Sequence, residues 1–208
     1  IVLAFAWGGL GVLSASVDLA NGLVGHWSFD EVNGTTVKDS SGNALHGTLV
    51  NMDSATDYVD GKVNKAIDLD GSNDYVSIPH SSALDIRRTI SVSMWIKVDS
   101  FANEWMPVYY NGSGVNSEYG RTYSLWQENS GRLANGSADS TSQETAYTGS
   151  IISTGNWYHV VSLFDRSGGT SKIYVNNALS ASESVRQTDT VSNTKALLFG
   201  WTHESSSN

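Results

Sequence analysis

The chain has 208 residues, 39% of them hydrophobic, which is enough to build the core of a single domain. Its 12 lysines and arginines stand against 21 aspartates and glutamates, and the formal net charge of -9 makes nucleic acid and anionic membrane surfaces poor partners. There is no cysteine, so stability cannot depend on disulfides.

The N-terminal segment is uncharged and apolar over its first 13 residues, which is too short to cross a bilayer comfortably. Small residues follow at Ser14, Ala15 and Ser16, so the segment 1–16 is typical of a signal peptide that lacks its basic start. This predicts a secreted or cell-surface protein whose domain occupies residues 17–208. A buried N-terminal strand is the alternative for the same apolar run.

Alternation of apolar and polar residues predicts an all-β protein built from short strands. The clearest strand is 89–98, where each even-numbered residue is apolar and is expected to face the core. The stretch 66–79, "AIDLDGSNDYVSIP", predicts a hairpin, and the Ser-rich stretch 179–193 predicts a long surface loop. Further strands are predicted at 23–29, 48–51, 106–110, 122–127, 132–137, 156–165, 171–177 and 196–201.

Two acidic stretches have a composition that suits calcium. In "DLDGSND" (68–74) the glycine falls at the fourth position and no late glutamate follows, which excludes an EF-hand loop and predicts that the acids cap the turn. In "DSSGNALHG" (39–47), Asp39 and Asn43 frame a glycine-containing turn, with Asp30 upstream. Such oxygen groups suit calcium, but a metal-free Asx-type turn explains the same residues.

Several stretches together resemble the laminin G-like jelly-roll domains of the concanavalin A-like lectin/glucanase superfamily. They are "GHWSFDE" (25–31), "DSSGNALHGTL" (39–49), "GKVNKAIDLDGSNDYVSIP" (61–79), "TISVSMWIKV" (89–98), "NWYHVVSLFD" (156–165) and "KIYVNN" (172–177). The resemblance covers about residues 23–201. It implies a two-sheet antiparallel jelly-roll sandwich.

The resemblance also implies one structural calcium. The residues expected to hold it are Asp39 and Asn43, with Asp30 and backbone carbonyls such as those of Gly42 and His46. Similar domains end in a strand with the pattern Gly-x-Ile-Asp-Glu-Val, whereas this sequence ends at "FGWTHESSSN". The sandwich is therefore expected to lack its C-terminal closing strand.

The superfamily includes glycan hydrolases and lyases, but their catalytic pattern is not found. A retaining glycosidase needs two carboxylates on one side of a cleft, and the spacing Glu-x-Asp-x-x-Glu does not occur in the sequence. The five histidines have no zinc-type spacing, and His159, within a strand, is expected to be structural. The sequence therefore predicts a non-enzyme, with a diverged hydrolase or lyase as a rival.

The strongest functional signal is a set of aromatic and polar residues between 101 and 126. Tryptophan and tyrosine rings stack on the flat faces of sugars, while polar side chains bind hydroxyl groups. In "TYSLWQ" (122–127), Leu125 and Trp126 point to opposite faces, so Trp126 is expected outside the core, where its removal would abolish sugar binding at little cost in Tm. Core packing is the alternative. The candidate ligand-binding residues are Trp105, Tyr109, Tyr119, Arg121 and Trp126.

These observations predict an extracellular module that binds a glycan or a cell-surface or matrix ligand. It is expected to have no transmembrane segment and to be part of a longer multidomain chain. A protein–protein adhesion or spacer domain without a sugar site is the main alternative. Burial of the aromatic set by the rest of the fold would favour that alternative.

Overall fold

Two antiparallel β-sheets pack face to face in the computed structural model, which describes residues 2–4, 20–31, 33–101, 104–113 and 118–204. The strands in these ranges are β1 (Val2–Ala4), β2 (Thr36–Val37), β3 (Gly47–Val50), β4 (Tyr58–Asp60), β5 (Lys65–Asp68), β6 (Tyr75–Ile78), β7 (Thr89–Lys97), β8 (Trp105–Gly112), β9 (Arg121–Glu128), β10 (Leu133–Ala138), β11 (Gln143–Tyr147), β12 (Trp157–Asp165), β13 (Thr170–Val175), β14 (Ala178–Ser184) and β15 (Leu197–Phe199). Two short 3-10 helices lie at Ser82–Leu84 and Glu118–Gly120.

The first sheet has the strand order β14-β13-β12-β7-β1-β5-β4, and the second has the order β11-β10-β9-β8-β15-β6-β3-β2. Strands that follow one another in sequence often lie in different sheets, as expected for a jelly roll. The all-β sandwich predicted from the alternation is confirmed. Within the described ranges, no helix has the length and hydropathy that crossing a membrane requires.

The core lies between the two sheets and follows the period of two seen in β7. Met94 and Ile96 are buried, and Val92 packs against them from a partly buried position. From the second sheet, Phe199 meets Trp27 edge to face, with the ring centroids 5.4 Å apart. Burial of alternate side chains from both sheets therefore stabilises the sandwich, as the sequence indicates.

The stretch 66–79 does not form the predicted hairpin. β5 pairs with β1 and β4 in the first sheet, whereas β6 pairs with β3 and β15 in the second, so the turn crosses between sheets. β5 and β6 each direct alternate apolar side chains into the core, from opposite sides of it. Because a hairpin would show the same alternation of apolar and polar residues, the sequence cannot distinguish the two arrangements. The turn is capped as predicted, because Oδ1 of Asp70 accepts the backbone N–H groups of Ser72 (2.8 Å) and Asn73 (3.2 Å).

Two further sequence predictions are wrong in part. Residues 23–29 form no strand, apart from an isolated bridge between Trp27 and Asp39. The first part of 179–193 is not a loop but belongs to β14, an edge strand paired with β13. β14 is mostly exposed and is rich in serine and alanine, so it lacks the apolar alternation by which a half-buried strand is found.

The short strand β1 lies between β5 and β7, with Leu3 opposite Ile67 on one side and Ile96 on the other. The extended backbone of β1 agrees with the alternative prediction for the apolar N-terminal run, which is a strand. Residue 1 and residues 5–19 lie outside the described ranges. The signal peptide over 1–16 and the domain start at 17 therefore stay predictions.

A buried polar cluster joins β10 and β11 to the first sheet. Arg166 is fully buried, pairs with Glu144 at 2.9 Å and donates to Oγ of Ser137 at 2.9 Å. Nearby, the side-chain amide of Asn135 donates to Oγ of Ser171 at 3.1 Å. Buried charges persist only when they are paired and hydrogen-bonded, so this cluster holds the two strands in one position.

Candidate binding groove

A groove lies on the outer face of the second sheet, over β8 to β11. Along β9, Tyr123 and Leu125 are buried between the sheets, which directs Trp126 to the outer face, as the alternation indicates. The groove encloses about 290 Å³. We call it the outer groove, and its lining residues are Trp105, Arg121, Trp126, Ala134, Gln143, Thr145, Tyr147 and Glu204.

Small residues on β10 leave room for the outer groove. Ala134 lies opposite Trp126 and Tyr147 in the neighbouring strands, and two residues further along the same face is Gly136. A Cβ added at Gly136 would lie 3.3 Å from Oγ of Ser124 and 3.6 Å from the Thr145 hydroxyl. The floor of the outer groove is therefore low, and the Thr145 hydroxyl borders it, whereas the Ser124 hydroxyl is fully buried beneath it.

Trp126 is on the outer face but is largely covered. Its side chain is only 7% exposed, and the guanidinium of Arg121 lies 4.8 Å from the ring centroid. Tyr110 meets the ring edge to face at 6.1 Å, and the indole N–H donates to Oγ of Ser124 at 3.0 Å. Trp126 is thus a support for Arg121 and not an open stacking surface, which differs from the role expected for it.

Arg121 is held in the outer groove by a second contact. Its Nε and Nη2 donate to the two carboxylate oxygens of Glu204 at 2.6 and 2.9 Å. This paired arrangement is the geometry that a planar guanidinium offers to a carboxylate. The two side chains are 16% and 19% exposed, so the pair is partly shielded from water.

The exposed rings of the outer groove are Trp105 and Tyr147. They are 38% and 45% exposed, and their centroids are 6.4 Å apart with an angle of 59° between the ring planes. Arg132 lies over one face of Tyr147, 4.7 Å from its centroid. Two rings at an angle, with apolar faces open to solvent, can contact successive units of an oligosaccharide.

The structure brings Trp105, Arg121 and Trp126 together but places the other two candidate ligand-binding residues elsewhere. Tyr109 is buried in the core and its hydroxyl hydrogen-bonds to Ser162 of the first sheet, so it cannot reach a ligand on the outer face. A shift of pairing register between Pro107 and Tyr109 is what turns this ring inward. Tyr119 is 47% exposed but is not part of the groove lining.

A family model for the concanavalin A-like lectin/glucanases superfamily matches residues 70–208, which is more than half of the chain. The chain belongs to this superfamily. A search of curated proteins gives no match. The fold is therefore that of a concanavalin A-like sandwich.

Solved structures of this shape include domain 4 of AbnA, an extracellular GH43 arabinanase from Geobacillus stearothermophilus, in complex with arabinotriose. It is 24% identical, with a TM-score of 0.60 and coverage of 84% of this chain and 81% of that one. The binding domain of botulinum neurotoxin serotype D is 20% identical, with a TM-score of 0.61 and coverage of 82% and 42%. The binding domain of Paraclostridial Mosquitocidal Protein 1 is 15% identical, with a TM-score of 0.61 and coverage of 83% and 45%. The chain spans less than half of the two toxin domains.

The loop at 39–47 was expected to hold calcium in this concanavalin A-like chain, and Asp39 is its central residue. Oδ1 of Asp39 accepts the N–H groups of His26 and Ser41, both at 2.9 Å. Oδ2 accepts the Ser41 hydroxyl at 2.8 Å and the Leu45 N–H at 2.9 Å. Burial alone would raise the pKa of Asp39, but these hydrogen bonds outweigh it and hold the pKa below its ordinary value.

The neighbouring candidate ligands also make contacts within the protein. The side-chain amide of Asn43 donates to the Val24 carbonyl at 2.9 Å, and Nδ1 of His46 accepts the Asp39 N–H at 3.0 Å. Asp30 accepts the Lys65 N–H at 3.1 Å. These are the contacts of a metal-free turn.

The residues of the loop, as arranged, do not fit a calcium ion. Each carboxylate oxygen of Asp39 already faces two protein donors, whose positive ends would also face a cation placed there. Gly42 supplies the left-handed backbone of the turn, with a φ of 99°. In the described part of the chain, no group of three or more His, Cys, Asp or Glu side chains is arranged to hold a metal. Calcium binding stays a prediction.

Reasoning from sequence missed four lining residues of the outer groove: Gln143, Thr145, Tyr147 and Glu204. The first three lie on one face of β11, and the period of two in "QETAY" (143–147) is the signal that could have found them. Glu204 follows the last strand, and no local pattern links it to Arg121, 83 residues earlier. Such a contact follows from the tertiary fold alone.

Proposed function

We propose that this chain is an extracellular, non-catalytic carbohydrate-binding module and that the outer groove is its binding site. The observation that carries the proposal is the presence of two exposed rings, Trp105 and Tyr147, beside polar groups in the outer groove. The rings offer apolar faces to sugar rings, while the side chains of Arg121, Gln143 and Thr145 can bind hydroxyl groups.

Similar structures support the proposal. Domain 4 of the arabinanase is part of an extracellular enzyme and is described in complex with arabinotriose. The toxin segments are described as binding domains. At these identities the likeness shows the fold, so saccharide binding, export and a place in a longer multidomain chain are parts of the proposal.

The chemistry of the outer groove favours binding over hydrolysis. Among its described lining residues, Glu204 carries the one carboxylate, and both oxygens of that group bind Arg121. Glycosidases need two carboxylates flanking the scissile bond. His159 also suits a structural role, since its Nε2 lies 2.9 Å from Oγ of Ser93 and burial lowers its pKa.

The test is a saccharide panel that includes arabinotriose, with affinities measured by calorimetry. Trp105→Ala and Tyr147→Ala should each weaken binding by about three- to tenfold, which is the value of one aromatic contact. Leu179→Ala is the matched control, because Leu179 is an apolar residue that is 55% exposed, more than either ring, on β14 of the other sheet. Unchanged binding in both aromatic variants would refute the assignment of the site.

A protein–protein adhesion role is the second candidate, and the outer face of the first sheet favours it. Trp95 and Trp157 are partly buried there in an apolar cluster with Val59, and His159 packs on Trp95 at 5.2 Å. A folded wild-type chain that binds no saccharide would refute carbohydrate binding and leave adhesion as the better explanation.

A further inference from the structure

We propose that the outer groove is selective for acidic saccharides, and that Arg121 binds the ligand carboxylate in the place that Glu204 holds in the structure. This inference rests on the proposed function and adds the class of ligand. The starting observation is the two-point contact between Arg121 and the Glu204 carboxylate, at 2.6 and 2.9 Å, inside the groove. A carboxylate of a uronic or sialic acid has the same planar group.

Arg121 is prepared for this contact by its surroundings. Its guanidinium is stacked on Trp126, 4.8 Å from the ring centroid, and is therefore held in one orientation. Its Nη1 also lies 3.7 Å from the position of a Cβ at Gly136, directly above the floor of the trough. A ligand on the floor would thus meet the cation and the hydroxyl of Thr145 together.

Glu204 belongs to a segment that can leave without disturbing the sheets. Residues 201–204 take part in no strand pairing among those described. Besides the Arg121 pair, the segment is held by a few contacts: Trp201 stacks on Tyr75 at 5.7 Å, His203 meets Tyr110 edge to face at 6.2 Å and its Nε2 lies 3.1 Å from the Ala196 carbonyl, and the Glu204 N–H donates to Thr202. Exchange of one carboxylate for another therefore costs these side-chain contacts and no pairing between strands.

Arg121 places a positive charge in the groove of a chain whose net charge is negative. With a formal net charge of -9, the protein as a whole repels anions. The outer groove nevertheless contains Arg121, while Arg132, which pairs with Glu128 at 3.3 Å, lies over Tyr147 of the lining. Long-range attraction cannot bring an acidic ligand to this negatively charged chain. Arg121, held between the Trp126 ring and the Glu204 carboxylate, can instead recognise an acidic group through direct contact.

The experiment compares acidic saccharides with their neutral counterparts by calorimetry on the whole chain. The pairs are oligogalacturonate with oligogalactan, for the uronic acids, and sialyllactose with lactose, for the sialic acids. The variants are Arg121→Lys, Arg121→Gln, Glu204→Gln and, as a control with the same change of charge, Glu183→Gln on exposed β14. Thermal melts and binding of the neutral probes report whether each variant is folded.

Wild type should prefer at least one acidic probe over its neutral counterpart. Glu204→Gln should tighten binding of that probe by about three- to tenfold, because a tethered competing carboxylate is removed. Arg121→Gln should weaken it by about tenfold or more, and Arg121→Lys by less, since lysine keeps the charge but loses the two-point geometry. Glu183→Gln should leave the affinity unchanged.

Each contrary result has a definite meaning. Binding of neutral and acidic probes with equal affinity, or an acidic preference that survives Arg121→Gln in a folded variant, would overturn this inference while leaving carbohydrate binding intact. Weaker binding together with a lower Tm in Glu204→Gln would show that the pair is only a clamp for residues 201–204. Failure of every probe to bind would overturn both the inference and the proposed function.

Discussion

Replacing Trp126 by alanine tests whether this side chain is a structural support of the groove. The ring is 7% exposed and contacts Arg121, Tyr110 and Ala134. Removal of a buried aromatic side chain costs about 3–5 kcal/mol in the free energy of unfolding, through lost burial and a cavity. For a chain of this length, a loss of that size lowers the Tm by about 10 °C.

Urea denaturation followed by fluorescence measures this loss, with two variants for comparison. Trp126→Phe keeps a ring against Tyr110 but loses the indole N–H that donates to Ser124, so we expect a loss of about 1–2 kcal/mol. Trp105→Ala removes a ring that is 38% exposed and should cost less than about 1 kcal/mol. A loss below 1 kcal/mol for Trp126→Ala would refute the packing described for it, and would restore an open stacking role.

Further predictions concern buried polar groups and the floor of the groove. The pKa of Asp39 is lowered in the folded chain, so its stabilising contribution is complete above about pH 4 and is lost as pH falls through the folded pKa. Asp39→Asn should therefore flatten the acid limb of stability against pH. EDTA should change the Tm by less than about 1 °C, and a fall of several degrees would support calcium after all. Arg166→Met should lower stability by about 3 kcal/mol in urea, because Glu144 loses the closer of its two arginine partners and keeps only Arg186, whereas an unchanged midpoint would show that the pair is dispensable. Gly136→Ala should weaken saccharide binding and lower the Tm slightly, because the added Cβ would crowd the buried Oγ of Ser124 at 3.3 Å, and equal affinity would place the ligand off the floor.

The sequence predicts the sandwich because burial repeats along single strands. In β7 and β12 alternate residues face the core, and each strand is long enough for the pattern to stand out. The same pattern cannot say which strand is the partner, so the crossing between β5 and β6 resembled a hairpin. Edge strands such as β14 bury too little for any pattern to appear.

The groove was predictable only in part, for a similar reason. Alternation along β9 assigns Trp126 to the outer face, but the cover provided by Arg121 depends on side-chain packing. Tyr109 lies in the core because a register shift in β8 between Pro107 and Tyr109 changes the face of the residues that follow, which the sequence does not reveal. The contact with Glu204 joins residues far apart in sequence, and no local pattern carries information about it.

The buried pairing of Arg166 with Glu144 has a consequence for how the molecule fluctuates. This pair and the neighbouring contacts hold β10 and β11 against the first sheet. Amide protons of β10, at the floor of the outer groove, should therefore exchange with deuterium only when the entire domain opens. Those of residues 201–204 should exchange through small local openings. The outer groove is thus expected to combine a base that opens only with the whole domain and a rim that opens locally, and under the proposed function a ligand would enter without loosening the base.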